Sequence, residues 1–399
     1  MKKFSKETKI YLIIQTLFSL STSLSSIFVN VYMWRLTSNM TVIGMYNIVA
    51  FAVVPIAFIL AGFIGRKRSI ITCTRLGILG YLLFYAMIII MQGSVKNHLI
   101  LLGVLYGIGV GFYNFGNNTL IYNYTENDNR GYYLGISTAL SSIMTTIAPI
   151  ISGVIIISRS ELNGYYIVFF ISFSLFIISI ILSCFLRPHT ITGKYEFKKI
   201  LFNKQDKPWN KILICSYILG LKDGAFSYVV NILIFLVFKS ELGMGNFTTI
   251  TSVLGIVSAF MVGKYCKKAI QNKVFFIGSV MCFLGTVVLV LFTNYFGVIL
   301  NGVLTSVFTC FWSIPFTTIM YDIAGKSSEK SNNIADYMIV REIPTALGRI
   351  SGIALYIVVS INFMDKTAIK LILPLLSFMV VLNYIYFNRR EKEKLDVVV

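Results

Sequence analysis

LILLGVLYGIGVGFYNFGNNTLIYN, residues 99–123, runs for 25 residues without a charged side chain. As a helix it is about 37 Å long at ~1.5 Å per residue, enough to cross the ~30 Å hydrocarbon core of a bilayer. Its apolar residues are continuous, without the alternation of a barrel strand, so the stretch reads as a transmembrane helix. Gly103, Gly107 and Gly111 recur every four residues within it. They lie inside a span with no strand before them, so they are no phosphate-binding loop; they are expected to let a neighbouring helix approach closely.

Eleven more stretches read the same way. The expected spans are 10–34, 43–64, 70–91, 99–123, 132–157 and 165–186, then 211–237, 246–263, 274–293, 295–322, 333–360 and 367–388. Between the two sets of six lies a basic polar stretch, 187–210. The composition agrees: 56% hydrophobic and only 13% charged residues, against roughly a quarter charged in soluble domains. A soluble enzyme, a disordered chain and a disulfide-framed secreted protein are thereby excluded. The basic N-terminus followed by residues 10–34 resembles a signal peptide, but that apolar run is too long and lacks a convincing cleavage site, so it is read as the first span. The expectation is an all-α integral membrane protein: an N-terminal six-helix bundle over 1–186, a cytoplasmic central loop over 187–210 and a C-terminal bundle over 211–399.

The net charge of +19 is distributed by topology rather than as a nucleic-acid-binding surface. With the N-terminus in the cytoplasm, 25 of the 35 Lys and Arg residues fall on the inner side, six outside and four within spans. The inner set includes Lys2, Lys3, Arg66, Lys67, Arg68, Lys194, Lys204, Lys267, Lys268 and Lys330. Both termini are expected in the cytoplasm. Six cysteines (Cys73, Cys184, Cys215, Cys266, Cys282, Cys310) form no CxxC pair, and neither a metal site nor a disulfide framework is expected. No cofactor motif is present.

The halves repeat each other. Gly103-Val104-Leu105 matches Gly302-Val303-Leu304, and at the same offset of 199 Phe112 meets Phe311, Tyr113 meets Trp312 and Asn123 meets Asp322. At an offset of 201 Val29-Asn30 meets Val230-Asn231 and Gly44 meets Gly245; Thr138-Ala139-Leu140 meets Thr345-Ala346-Leu347. Six spans per half is an even number, so both bundles run in the same direction as parallel repeats.

Twelve spans as two sixes, parallel halves and a basic central loop resemble the major facilitator superfamily of secondary transporters. That family's loop signature after span 2, G-x-x-x-D-R-x-G-R-K, is met here by Gly62-Phe63-Ile64-Gly65-Arg66-Lys67-Arg68. The basic end is present and the aspartate missing. The span 5 signature of drug antiporters, roughly G-x8-G-x3-G-P-x2-G-G, is met by Gly135, Met144, Ala148, Pro149, Ser152 and Gly153. The resemblance implies alternating access by two rocking bundles, with Arg66, Pro149 and Gly153 in gating positions, and it hints at efflux.

Ionisable groups at membrane depth are costly and point to function. Lys222 and Asp223 lie near the middle of span 7 and Arg349 near the middle of span 11, with Arg341 and Glu342 one to two turns away. Arg341, Thr345 and Arg349 share a helical face. Two readings stay open. In one, Asp223 or Glu342 binds and releases a proton, burial raising a carboxylate's pKa, and Arg349 is its switchable partner or receives an anionic substrate. In the other, these residues are a permanent ion pair. Asp322, Asp336 and Arg75, near cytoplasmic ends, read as gate or interface residues.

The N-terminal half has no acidic residue inside an expected span. Asn30, its repeat mate Asn231, Tyr113 and Asn117 are candidate cavity-lining residues; interhelical hydrogen bonding is the alternative. Only two histidines exist, far apart, which argues against a membrane enzyme. The expected function is proton-coupled export of a small amphipathic compound. The alternatives are movement of an anionic or phosphate-bearing substrate, lipid-linked headgroups included, and a non-transporting receptor or assembly factor. A monomer in a bacterial plasma membrane is expected, with a small molecule, a proton or other ion and the lipid bilayer as partners and no nucleic acid.

Overall fold

Residues 5–124, 127–159, 162–190, 195–203, 205–266, 270–328, 334–363 and 365–395 are described by a computed structural model. Lys2, Lys3, Lys194, Lys204, Lys267, Lys268 and Lys330 lie outside the described residues. The helices are α1 (Lys6–Thr37), α2 (Met40–Lys67), α3 (Ile70–Met91), α4 (Leu99–Tyr124), α5 (Asn127–Ile157), α6 (Asn163–Ser183), α7 (Phe197–Leu201), α8 (Lys207–Phe238), α9 (Glu241–Tyr265), α10 (Gln271–Leu291), α11 (Tyr295–Ser328), α12 (Ile334–Phe363) and α13 (Asp365–Leu395). All but α7 contribute a candidate span, twelve in total, and no strand occurs among the described residues. Several helices outrun the apolar core expected for them. α9 starts at Glu241 rather than near 246, and α8 at Lys207 rather than 211, because backbone hydrogen bonding continues past the point where hydropathy falls.

The chain divides into two compact units. Unit 1 comprises 1–195 with 239–249, and unit 2 comprises 196–238 with 250–399. In unit 1 the pairs α1·α5, α1·α6, α3·α4 and α3·α6 pack together; in unit 2 the pairs α8·α12, α8·α13, α10·α11 and α10·α13 do the same. These four pairings of the first half thus recur between the corresponding helices of the second. Turns recur as well. α1 and α2 are joined through Ser38 in a left-handed conformation (φ 47°), and α8 and α9 through Lys239 (φ 54°), residues separated by the same offset as Asn30 and Asn231. Asn39 then caps α2, its side-chain oxygen accepting from Thr41 N (2.9 Å) and Val42 N (3.2 Å).

Lipid tails are as apolar as leucine, so helices in a bilayer are held by close fit. A Cβ on Gly77 of α3 would stand 2.6 Å from Tyr113 Cα in α4, and one on Gly278 of α10 would stand 2.7 Å from Trp312 N in α11. The glycine row of α4 does what its spacing implies: Gly103 and Gly107 lie against the Tyr46–Val53 stretch of α2.

The central segment is not wholly a solvated loop. Its apolar positions Phe197, Ile200 and Leu201 form α7, and Ile200 is buried beside Trp209, Ile212, Phe316 and Tyr337 of unit 2. The buried Asp336 carboxylate accepts the Glu196 amide (3.0 Å), capping this short helix.

Candidate functional site

The ionisable residues of unit 2 collect where α8 crosses α12. Gly220 and Gly224 on α8 face Gly348 and the Arg349 backbone on α12, while Gly348 and Gly352 face Tyr217, Gly220 and Leu221. Both helices therefore carry small residues four apart at their contact, and Asp223 of α8 comes within electrostatic reach of Arg341 on α12. Arg349 Nη1 donates to Glu342 Oε1 at 3.1 Å, two turns back on the same helix, with both side chains about one-fifth exposed (24% and 18%). Asp223 is half-buried, and its carboxylate has no ion pair or hydrogen bond among the described residues. Arg341 lies within electrostatic reach of Glu342, Tyr321, Arg349 and Asp223, and its Nε is buried without a hydrogen-bond partner.

Lys222 points elsewhere. Its ammonium lies 5.4 Å from the centre of the Phe226 ring and 5.1 Å from that of Trp312 on α11, an arrangement that favours a desolvated cation. Sequence neighbours Lys222 and Asp223 are thus not one unit: about 100° of helical rotation sends one towards α11 and the other towards α12. Asn231 Nδ2 donates to Ser227 O (2.9 Å) within α8, and Asp322 is exposed on α11.

Unit 1 is neutral where unit 2 is charged. Asn117 Oδ1 accepts from Tyr11 OH (2.8 Å) and Gln15 Nε2 (2.6 Å). Gln15 Oε1 in turn accepts from Tyr133 OH and from Ser137 Oγ (3.1 Å), so Gln15 joins α1, α4 and α5. Asn30 Oδ1 accepts from Asn47 Nδ2 of α2 (3.4 Å). Tyr113 is buried, its ring stacked on Phe18.

The residues picked out by family pattern sit at close contacts. Arg66 donates to Gly62 O (3.1 Å), and its guanidinium lies 4.8 Å from the centre of the Tyr195 ring. Tyr195 OH donates to Ile59 O (3.1 Å), so the central segment clasps the basic end of α2. Arg75 donates to Ser183 Oγ (3.0 Å) and Ser183 O (2.7 Å), satisfying the end of α6. Pro149 and Gly153 of α5 lie under the start of α9: a Cβ on Gly153 would stand 2.9 Å from Glu241 O, and Gly245 abuts the Pro149 carbonyl. Ser152 Oγ donates to Leu24 O of α1 (2.7 Å).

Sequence reasoning missed Glu241, counted as part of an outer loop. Its carboxylate is buried and accepts from Arg35 Nη2 (2.7 Å) and Tyr165 OH (2.7 Å) beside a cavity of about 420 Å³ that Arg159 and Leu162 also line. The available signal was the Gly245 repeat match, which placed this segment in register with the start of span 2.

The match to known proteins follows the whole course of this architecture. Along 95% of the chain and 88% of its own length, the uncharacterized protein YqgE of Bacillus subtilis (strain 168) is 29% identical. Among solved structures, a POT family transporter in complex with a thioalcohol-conjugated peptide superposes with a TM-score of 0.74 at 12% identity, covering 97% of this chain and 96% of that one. A mutant of the nucleoside transporter NupG does so with a TM-score of 0.70 at 14% identity, covering 95% and 99%. At such identities these structures speak for the fold alone. The Major Facilitator Superfamily model matches residues 10–348. Twelve spans, the repeated pairings and a family match over most of its length make this chain a member of the Major Facilitator Superfamily, a multi-pass membrane transporter and not an enzyme.

Proposed function

We propose that the chain couples export of a small amphipathic compound to proton entry by alternating access, acting as a monomer in a bacterial plasma membrane with both termini in the cytoplasm. Asp223 carries the proton. One observation supports this role above the others: among the described residues Asp223 has no ion pair or hydrogen bond, whereas Glu342 is engaged by Arg349. Asp223 can change charge without first breaking a bridge, and it does so in the middle of a span, where a charge is most sensitive to its surroundings. Arg349 and Arg341 supply the field that the changing charge acts on. The small residues Pro149, Ser152 and Gly153 support the export direction through their family pattern.

The test is proton flux in proteoliposomes across a panel of drugs, sugars and anions. In D223N, uphill transport driven by a pH gradient is lost while downhill exchange persists. Full gradient-driven transport by D223N refutes the assignment.

A second reading takes an anionic substrate. It rests on Lys222 and Arg341, two cations at membrane depth with no ion pair among the described residues. The readings differ in the sign of linkage. A cationic substrate competes with the proton at Asp223, so acid weakens its binding and the two exchange. Protonating Asp223 makes the cluster more positive, so acid strengthens binding of an anion and the two move together. The slope of substrate affinity against pH decides between them.

A further inference from the structure

The second half of α5 is apolar along an open face. Ile143, Ile147, Ile151, Val154 and Ile157, spaced three or four apart, are each 41–49% exposed, so they share one side of the helix. From Ile147 to Ile157 the helix rises about 15 Å, half of the ~30 Å hydrocarbon core and so the depth of one leaflet. The stripe ends at the cavity of about 420 Å³, which Ile157 lines together with Arg35, Ile156, Arg159, Leu162 and Glu241, all of them in unit 1.

The charges in that cavity do not cancel. The buried Glu241 carboxylate already accepts from Arg35 (2.7 Å) and Tyr165 (2.7 Å), which anchors Arg35 at the wall. Arg159 lies just past the end of α5 and is exposed, and its guanidinium has no ion pair or hydrogen bond among the described residues. Two cations and one carboxylate among the described lining residues leave one positive charge to be balanced by a monoanion.

We infer that this cavity seats the phosphodiester of a membrane phospholipid, with Arg159 and Arg35 on the phosphate and an acyl chain along the α5 stripe. A phosphodiester carries one negative charge, and its non-bridging oxygens suit the parallel N–H donors of a guanidinium. Basic pockets at the ends of spans are where lipid headgroups bind. Ile157 and Leu162 beside the two arginines reproduce the junction of headgroup and chain: cation at the phosphate, hydrocarbon immediately below it. A free anion would satisfy the arginines and leave that apolar wall unused. The site includes no residue of the α8·α12 cluster, so it stands or falls apart from the role proposed for Asp223.

The test is native mass spectrometry of the full chain in detergent, titrated with dioleoyl phosphatidylglycerol and read as the affinity for the first lipid bound. R159Q weakens that affinity at least about tenfold, as expected for loss of a bidentate charged contact, and keeps the wild-type thermal midpoint because Arg159 braces no other side chain. R159K keeps the cation and falls between R159Q and wild type. K96Q removes an exposed cation at the same end of the spans, in the α3–α4 turn, and leaves the affinity unchanged. Dioleoylglycerol, which has the chains without the phosphate, binds equally to wild type and R159Q. Wild-type affinity in R159Q, or equal weakening in K96Q, overturns the site. Inorganic phosphate that displaces the lipid from wild type and not from R159Q also overturns it, because the ligand is then a free anion.

Discussion

Replacing Gly224 by alanine tests whether glycine contacts set the geometry of the charged cluster. A Cβ built there stands 2.7 Å from the Arg349 carbonyl carbon and 2.8 Å from its Cα, and nearer still to the carbonyl oxygen. These are backbone atoms on a neighbouring helix, so no rotamer change relieves the overlap. Ordinary contact begins near 3.4 Å, and α8 and α12 must part by more than an ångström to bring the carbonyl oxygen out to it. Overpacking of this kind costs about 1–3 kcal/mol. Gly263 of α9 supplies the contrast, because a Cβ there meets nothing within 4 Å. In a helix, alanine is better than glycine by up to ~1 kcal/mol, so G263A should be neutral or stabilising. Thermal unfolding in detergent, followed by tryptophan fluorescence, should give G224A a midpoint several degrees below wild type and G263A one at or above it. G224A should also weaken pH-driven transport, because the added methyl moves Asp223 away from the α12 arginines. A G224A protein as stable as G263A would refute the claim that this crossing is fixed by close glycine packing.

Variants at two further positions probe unit 1. Q15L removes the side chain that links Asn117 to Tyr133 and Ser137, and with it three hydrogen bonds; each is worth about 0.5–1.5 kcal/mol, so the same thermal assay should show a lower midpoint than for N231L, which removes one bond to its own helix. Y195F keeps the ring against Arg66 and loses the hydroxyl bond to Ile59, whereas Y195A loses both, including a cation–π contact of ~0.5–2 kcal/mol. Trypsin should cut at Arg66–Arg68 faster in Y195A than in Y195F, and equal rates would remove the clasp.

Span number was legible because continuous apolar length is a direct requirement of the bilayer, and the repeat was legible because glycines and turn residues recur where helices must touch. The partners of charged side chains were not legible. Whether Asp223 meets Arg349 depends on helix rotation and crossing point, which pattern does not fix; Arg349 instead folds back onto Glu342 of its own helix. Glu241 escaped notice for a different reason. Hydropathy counts a charge at the end of a span as loop, and only packing shows that the Gly153 contact carries that carboxylate inside. Likewise, the basic run of 187–210 hid the three apolar residues that seat α7.

The repeat itself bears on why charges lie at the α8·α12 crossing. At the offset of 201, the positions of Lys222 and Asp223 correspond to Ser21 and Thr22, and the register of Thr138 with Thr345 places Ser142 opposite Arg349. The corresponding crossing of α1 with α5 therefore forms without ionic groups. Ser152 of α5 bonds Leu24 O of α1 (2.7 Å), Thr22 Oγ1 bonds Phe18 O (2.9 Å), and Ser21 exchanges hydrogen bonds with Ser172 of the adjoining α6 (3.1 and 3.2 Å). If the fold needed an ion pair to join these helices, both halves would face the same need, since α1·α5 and α8·α12 are corresponding pairings. One half meets it with hydroxyls that satisfy themselves on nearby carbonyls. The other carries three cations and two carboxylates at membrane depth, an excess of one positive charge over Lys222, Arg341, Arg349, Asp223 and Glu342. A group retained for structure alone would be neutralised or replaced at little loss. An unbalanced, partly unpaired cluster in only one copy of a duplicated scaffold instead favours a task that changes charge, binding a proton at Asp223 or a charged substrate beside it.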